Sequence, residues 1–193
     1  MTRNYKVVID KSGSMMTTDC PNGKSRWDYC QESAFGLASK CDQLDPDGID
    51  VYMFASKFKK YSNVHADMVS KLFKENEPSG GTTLAPVLQD IFDEYFKNPE
   101  TPIAVAVVTD GEPSDQSEVV KTIIAATKKM EKDEQIGIQF VQIGKDEGAA
   151  AFLKRLDDNL TAEGAKFDIV DTVTMAEQED LTLTEILTRA ITD

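Results

Sequence analysis

Carboxylate and hydroxyl side chains stand in three short polar segments of this chain. Asp10-Lys11-Ser12-Gly13-Ser14 sets an acid beside two serines, Thr82 lies in Ser79-Gly80-Gly81-Thr82-Thr83, and Asp110 lies in Thr109-Asp110-Gly111. Oxygens of these kinds are hard donors, suited to Mg2+ or Mn2+ in octahedral geometry, with no need of thiol or imidazole. The plainer alternative is that Asp10 and Asp110 cap the helices that follow them. Each segment alone says little, because Asp or Ser after a strand is ordinary turn chemistry. Their weight depends on where the chain puts them.

The elements around these segments alternate in type. Tyr5 to Ile9 reads as a strand ending at Asp10. Trp27, Cys30, Ala34, Leu37, Ala38 and Cys41 recur at helical spacing until Asp45-Pro46-Asp47-Gly48 breaks the pattern. Ile49 to Ala55 follows as a strand, Lys59 to Val64 as a short edge strand with polar content, and Ala66 to Lys74 as a helix. Leu84, Val87, Leu88, Ile91, Phe92 and Tyr95 mark an amphipathic helix that starts directly after the Thr82 loop. Ile103 to Val108 is apolar without alternation, as a strand covered on both faces would be, and it ends at Thr109-Asp110-Gly111. Asp115 with Glu118 gives a capping-box pattern ahead of Val120, Ile123, Ile124 and Thr127. Ile136 to Ile143 and Phe167 to Val170 read as the remaining strands. Thr182 with Glu185 caps a closing helix carrying Leu183, Ile186, Leu187, Ala190 and Ile191.

Such alternation predicts an α/β fold: a doubly wound, mostly parallel central sheet of about six strands, one of them a short edge strand, with helices on both faces. Ligands of such sheets sit beyond the carboxyl ends of the strands. The three polar segments fall at that edge and should converge.

Composition narrows the classes of function. At 193 residues, with 40% hydrophobic and 28% charged residues, the chain suits one globular domain. Lys plus Arg number 21 against 34 Asp plus Glu, a net charge of −13 that repels phosphate backbones, so nucleic acid is not expected as a partner. No stretch approaches the roughly 20 apolar residues of a membrane span, and the first residues lack the pattern of a signal peptide. Cys20, Cys30 and Cys41 are odd in number and spaced unlike a CxxC pair, so reduced thiols and a cytoplasmic setting are expected, away from membranes.

In the order and placing of its three polar segments the sequence resembles the von Willebrand factor type A (VWA) family over nearly its whole length. The family's metal-ion-dependent adhesion site (MIDAS) is written D-x-S-x-S, a Thr in a Gly-rich loop, and T-D-G; all five positions are filled, by Asp10, Ser12, Ser14, Thr82 and Asp110. The resemblance implies a single VWA domain over 1–193 with a Rossmann-like sheet. Ser12, Ser14 and Thr82 would then supply hydroxyl oxygens to Mg2+, with Mn2+ or Ca2+ as substitutes, while Asp10 and Asp110 act largely through coordinated water. Thr83 reads as support for the loop, and Glu112 as a solvated carboxylate that could reach a metal-bound water. The function implied is non-enzymatic capture of an Asp or Glu from a protein partner, within a larger complex.

Enzyme readings find less to stand on. A phosphatase of the haloacid-dehalogenase type needs D-x-D, and Ser12 stands where the second Asp should be. Neither G-x-S-x-G, G-x-G-x-x-G nor G-x-x-x-x-G-K-[ST] occurs, and His65 reads as a polar surface residue. A metal-dependent hydrolase of phosphoesters is the alternative that these exclusions leave. Trp27 reads as a core anchor.

Overall fold

The computed structural model describes residues 3–44, 46–175, 177 and 181–192. Asp45 and the side chains of Ala190 and Ile191 lie outside the described residues.

Among the described residues, six strands form one sheet: β1 (Asn4–Asp10), β2 (Ile49–Phe54), β3 (Phe58–Val64), β4 (Ile103–Thr109), β5 (Ile136–Gln142) and β6 (Val170–Thr174). Their order is β3-β2-β1-β4-β5-β6, and every pairing is parallel except that of β2 with β3. All seven residues of β4 are buried, as its unbroken apolar run predicts for a strand with helices on both faces. The antiparallel β3 closes one edge with Lys59, Lys60 and a register shift opposite Ile49 and Val51, features that discourage further pairing.

Among the described residues, six α-helices cover the sheet: α1 (Arg26–Leu44), α2 (Ala66–Glu75), α3 (Ala85–Tyr95), α4 (Gln116–Lys129), α5 (Glu147–Asp158) and α6 (Leu183–Thr192). Side chains alternate across a strand, so Val8 joins a core with α3, α4 and α5 through Leu88, Ile123 and Leu156. Val7 and Ile9 join the opposite core with α1, α2 and α6 through Leu37, Phe73 and Leu187. Trp27 is part of this second core, its ring centroid 4.5 Å from that of Phe73. Among the described residues, no helix is long and apolar enough to cross a membrane.

Three details depart from the expectations drawn from the sequence. Helix α5 was not anticipated, although Ala149, Phe152, Leu153 and Leu156 have helical spacing and the Asp146 carboxylate accepts from Ala149 N at 2.6 Å as its cap. The last strand spans Val170–Thr174 instead of Phe167 to Val170. Its polar residues are tolerated because it is an edge strand, and Thr172 N and Oγ1 both donate to Asp157 Oδ2. Asp115 makes no side-chain cap on its own helix. Its two oxygens accept from Leu84 N (3.0 Å) and Ala85 N (2.8 Å), so a residue from the loop after β4 closes the start of α3. Thr182 and Glu185 do form the expected capping box: Glu185 N donates to Thr182 Oγ1, and Thr182 N to Glu185 Oε2.

Candidate metal centre

Strand order reverses between β1 and β4. From β1 the chain runs outward to β2 on one side, and β4 takes up the other, which opens a crevice at their carboxyl ends. Asp10 ends β1 and Asp110 follows β4, so the two acids flank that crevice. Both are buried, at 0% and 2% exposure, although acids seldom are without partners.

Each oxygen of Asp10 has a donor: Ser12 N at 2.7 Å on Oδ1 and Thr109 Oγ1 at 2.9 Å on Oδ2. Burial raises its pKa above the ordinary aspartate value; hydrogen bonds from Ser12 pull against that, and the nearby Asp110 charge adds to it. Next along the crevice, Ser12 Oγ lies 3.1 Å from Ser14 Oγ, which donates to Asp110 Oδ1 at 2.9 Å. Neither acid therefore spends its oxygens on capping a long helix.

The Thr82 loop is pinned beside this cluster. Ser79 N donates to Lys11 O at 2.8 Å, Gly81 N to Ser56 Oγ at 3.1 Å and Thr83 N to Ala55 O at 2.9 Å. From the other side, Ser114 N and Oγ both donate to Thr82 O, at 2.7 and 3.0 Å. Thr82 is thus held by its carbonyl, and its half-buried side chain makes no hydrogen bond to Asp10, Ser12, Ser14 or Asp110. The structure links those four and brings the Thr82 loop alongside without joining its hydroxyl to them.

The donor set fits a small hard cation. Neighbouring ligands of an octahedron with bonds of roughly 2.1 Å lie about 3.0 Å apart. The Ser12–Ser14 and Ser14–Asp110 oxygen separations of 3.1 and 2.9 Å are those of hydrogen bonds, and they already bring these oxygens within the spacing that such an edge needs. No three His, Cys, Asp or Glu side chains converge among the described residues, so hydroxyls would have to complete any shell here. A cavity of about 430 Å³ lies apart from the cluster, against Ile138 on β5, Val173 on β6 and Ile186 on α6.

Comparison with known proteins fits this topology. A VWA family described as found in the TerF C terminus matches residues 2–192. The chain belongs to the VWA family. No curated protein matches it in sequence. Among solved structures, the SpRpn10 VWA domain superposes with a TM-score of 0.66 at 12% identity, over 98% of this chain and 95% of that one. Manganese-loaded TRAP protein of Plasmodium vivax gives 0.61 at 17% identity, over 98% of this chain and 73% of that one. A von Willebrand factor type A protein of Catenulispora acidiphila gives 0.60 at 16%, over 98% of this chain but 43% of that one. At such identities the likeness is one of fold.

Arg26 and Asp19 extend this cluster, and no local sequence pattern marks them. Arg26, the first residue of α1, donates from Nη1 to Asp110 Oδ2 at 2.8 Å. Its Nε and Nη2 form a fork on Asp19 Oδ1 and Oδ2, at 2.8 and 2.6 Å. These bonds raise the guanidinium pKa, Asp19 contributing most, so the charge is permanent. Arg26 sits beside the noted Trp27, but nothing in the spacing ties it to residues 84 positions away. Glu112 is exposed and accepts from Gln116 Nε2 at 2.5 Å, with its other oxygen lodged over Gly148. His65 Nδ1 lies 2.7 Å from Asp42 Oδ1 at the surface, and among the described residues Cys20, Cys30 and Cys41 form no disulfide.

Proposed function

We propose that Asp10, Ser12, Ser14, Thr82 and Asp110 hold Mg2+ or Mn2+ and that the domain is a metal-dependent protein-interaction module. The convergence of Ser12 and Ser14 on the buried Asp110, beside the buried Asp10, carries this reading. The fold is shared with a solved structure described as manganese-loaded, which agrees with it. When bound, the ion supplies an open coordination position that a partner's Asp or Glu can fill. The chain's own part is to hold the donors: Thr109 and Ser12 N orient Asp10, and the loop bonds of Thr82 keep its segment at the crevice. A neutral hydroxyl set with two partly neutralised acids leaves the cation attractive to a further anion. Three cysteines outside any disulfide favour a reducing, cytoplasmic setting.

Thermal melts and calorimetry with Mg2+, Mn2+ and chelator test the metal. At tenfold excess over Kd, mass action predicts about 1.4 kcal/mol of stabilisation. A melting temperature indifferent to all three, with no heat of binding, overturns the reading. Pull-down with wild type and Asp10→Ala, each in Mg2+ or chelator, then identifies the partner, expected only with wild type in Mg2+. Turnover of simple phosphoesters that needs Mg2+ and is lost in Asp10→Ala would instead make the site hydrolytic.

A further inference from the structure

The Asp110 carboxylate is almost sealed, its side chain 1% exposed, and its two oxygens are unequal. Oδ1 turns to Ser14 and hence to the hydroxyl cluster, whereas Oδ2 is taken by Arg26. The arginine cannot readily let go. Its side chain is 14% exposed, the Asp19 fork fixes the plane of the guanidinium, and Arg26 N donates to Thr17 O at 2.9 Å. Space for it is made by Gly144, just past β5, where an added Cβ would come within 2.8 Å of Arg26 Cζ and where φ is +82°. An L side chain there would be strained as well as crowded.

We propose that Arg26 is a positioning residue that selects the ion, by leaving Asp110 a single oxygen to offer. This rests on the metal reading above. Mg2+ keeps a compact shell of six and is satisfied by carboxylates offering one oxygen, directly or through water. Ca2+ takes six to eight oxygens and commonly recruits both oxygens of a carboxylate. With Oδ2 committed to Arg26, Asp110 cannot give that second oxygen, so the cluster suits the smaller ion.

Calorimetric titration with MgCl2, MnCl2 and CaCl2 tests this on wild type, Arg26→Gln and Asp19→Asn, with circular dichroism melts checking the fold of each. Wild type should favour Mg2+ and Mn2+ over Ca2+, and Arg26→Gln should shift the Mg2+-to-Ca2+ affinity ratio toward Ca2+ by about tenfold, as expected when a second oxygen is released. Asp19→Asn, which only loosens the anchor, should shift the ratio the same way by less. It carries the test if Arg26→Gln does not fold. An unchanged ratio in a folded variant, or equal loss of all three ions, overturns the proposal and leaves Arg26 a structural support. Wild type that binds none of the three overturns the metal reading, and this proposal with it.

Discussion

Taking a carboxylate out of water is unfavourable, and hydrogen bonds from Ser12 and Thr109 offset only part of that at Asp10, whose pKa stays raised. Because the folded value lies above the unfolded one, ionised Asp10 weakens the metal-free protein at neutral pH. That loss is recovered as the pH falls from the raised folded value to the ordinary 3.8. Asp10→Asn removes the buried charge and keeps an acceptor for Ser12 N. In chelator, urea unfolding should show the variant up to about 1 kcal/mol more stable than wild type, while its response to Mg2+ disappears. A destabilised variant that still responds to Mg2+ would contradict this. In wild type the Mg2+ response should shrink on acidification before an ordinary aspartate would protonate, which melts across a pH series can read. Asp10, Ser12, Ser14 and Asp110 were legible because each follows a strand at fixed offset, so local pattern alone places them at one edge. Arg26 was not legible, since its meeting with Asp110 depends on how far α1 leans over the crevice.

Between elements, the Asp115 carboxylate does the work of a missing local cap. Leu84 N and Ala85 N at the start of α3 have it as acceptor, while Ser114 holds Thr82 O in the preceding loop. Asp115→Ala should cost about 1–2 kcal/mol in urea unfolding, as loss of a capping acceptor does, and should also weaken Mg2+ binding by freeing the Thr82 loop. Full stability, or lost stability with unchanged Mg2+ affinity, would show that the two loops are independent. The sequence marked Asp115 as a cap but assigned it to α4, for which Glu118 three residues on completed the pattern. Pattern reading assumes a cap serves its own chain segment, and tertiary contact overrode that. Strands β1, β2, β4 and β5 were readable from their apolar runs, because burial on both faces leaves little else in the sequence. Helix α5 and the true extent of β6 were obscured by small and polar residues whose partners, such as Asp157 for Thr172, lie on other elements.

For the whole molecule, a net charge of −13 sets the terms on which any acidic partner arrives. The field repels it at long range, whereas a metal-bound contact would attract only at close quarters. Stopped-flow association of the captured partner should therefore quicken as salt rises from about 0.01 to 0.15 M, where the screening length falls from about 30 to 8 Å. A rate that falls with salt would point to a basic partner surface instead. The order of the strands also bears on how the protein comes to be made. Asp10 is bonded to Thr109, a residue 99 positions later, and β1 has β4 as its neighbour on that side. A nascent chain leaving the ribosome carries its first aspartate long before its counterpart exists, so the cluster can close only once β4 and the residues after it have been made. A truncated product ending after β3 would carry Asp10, Ser12 and Ser14 yet have no site.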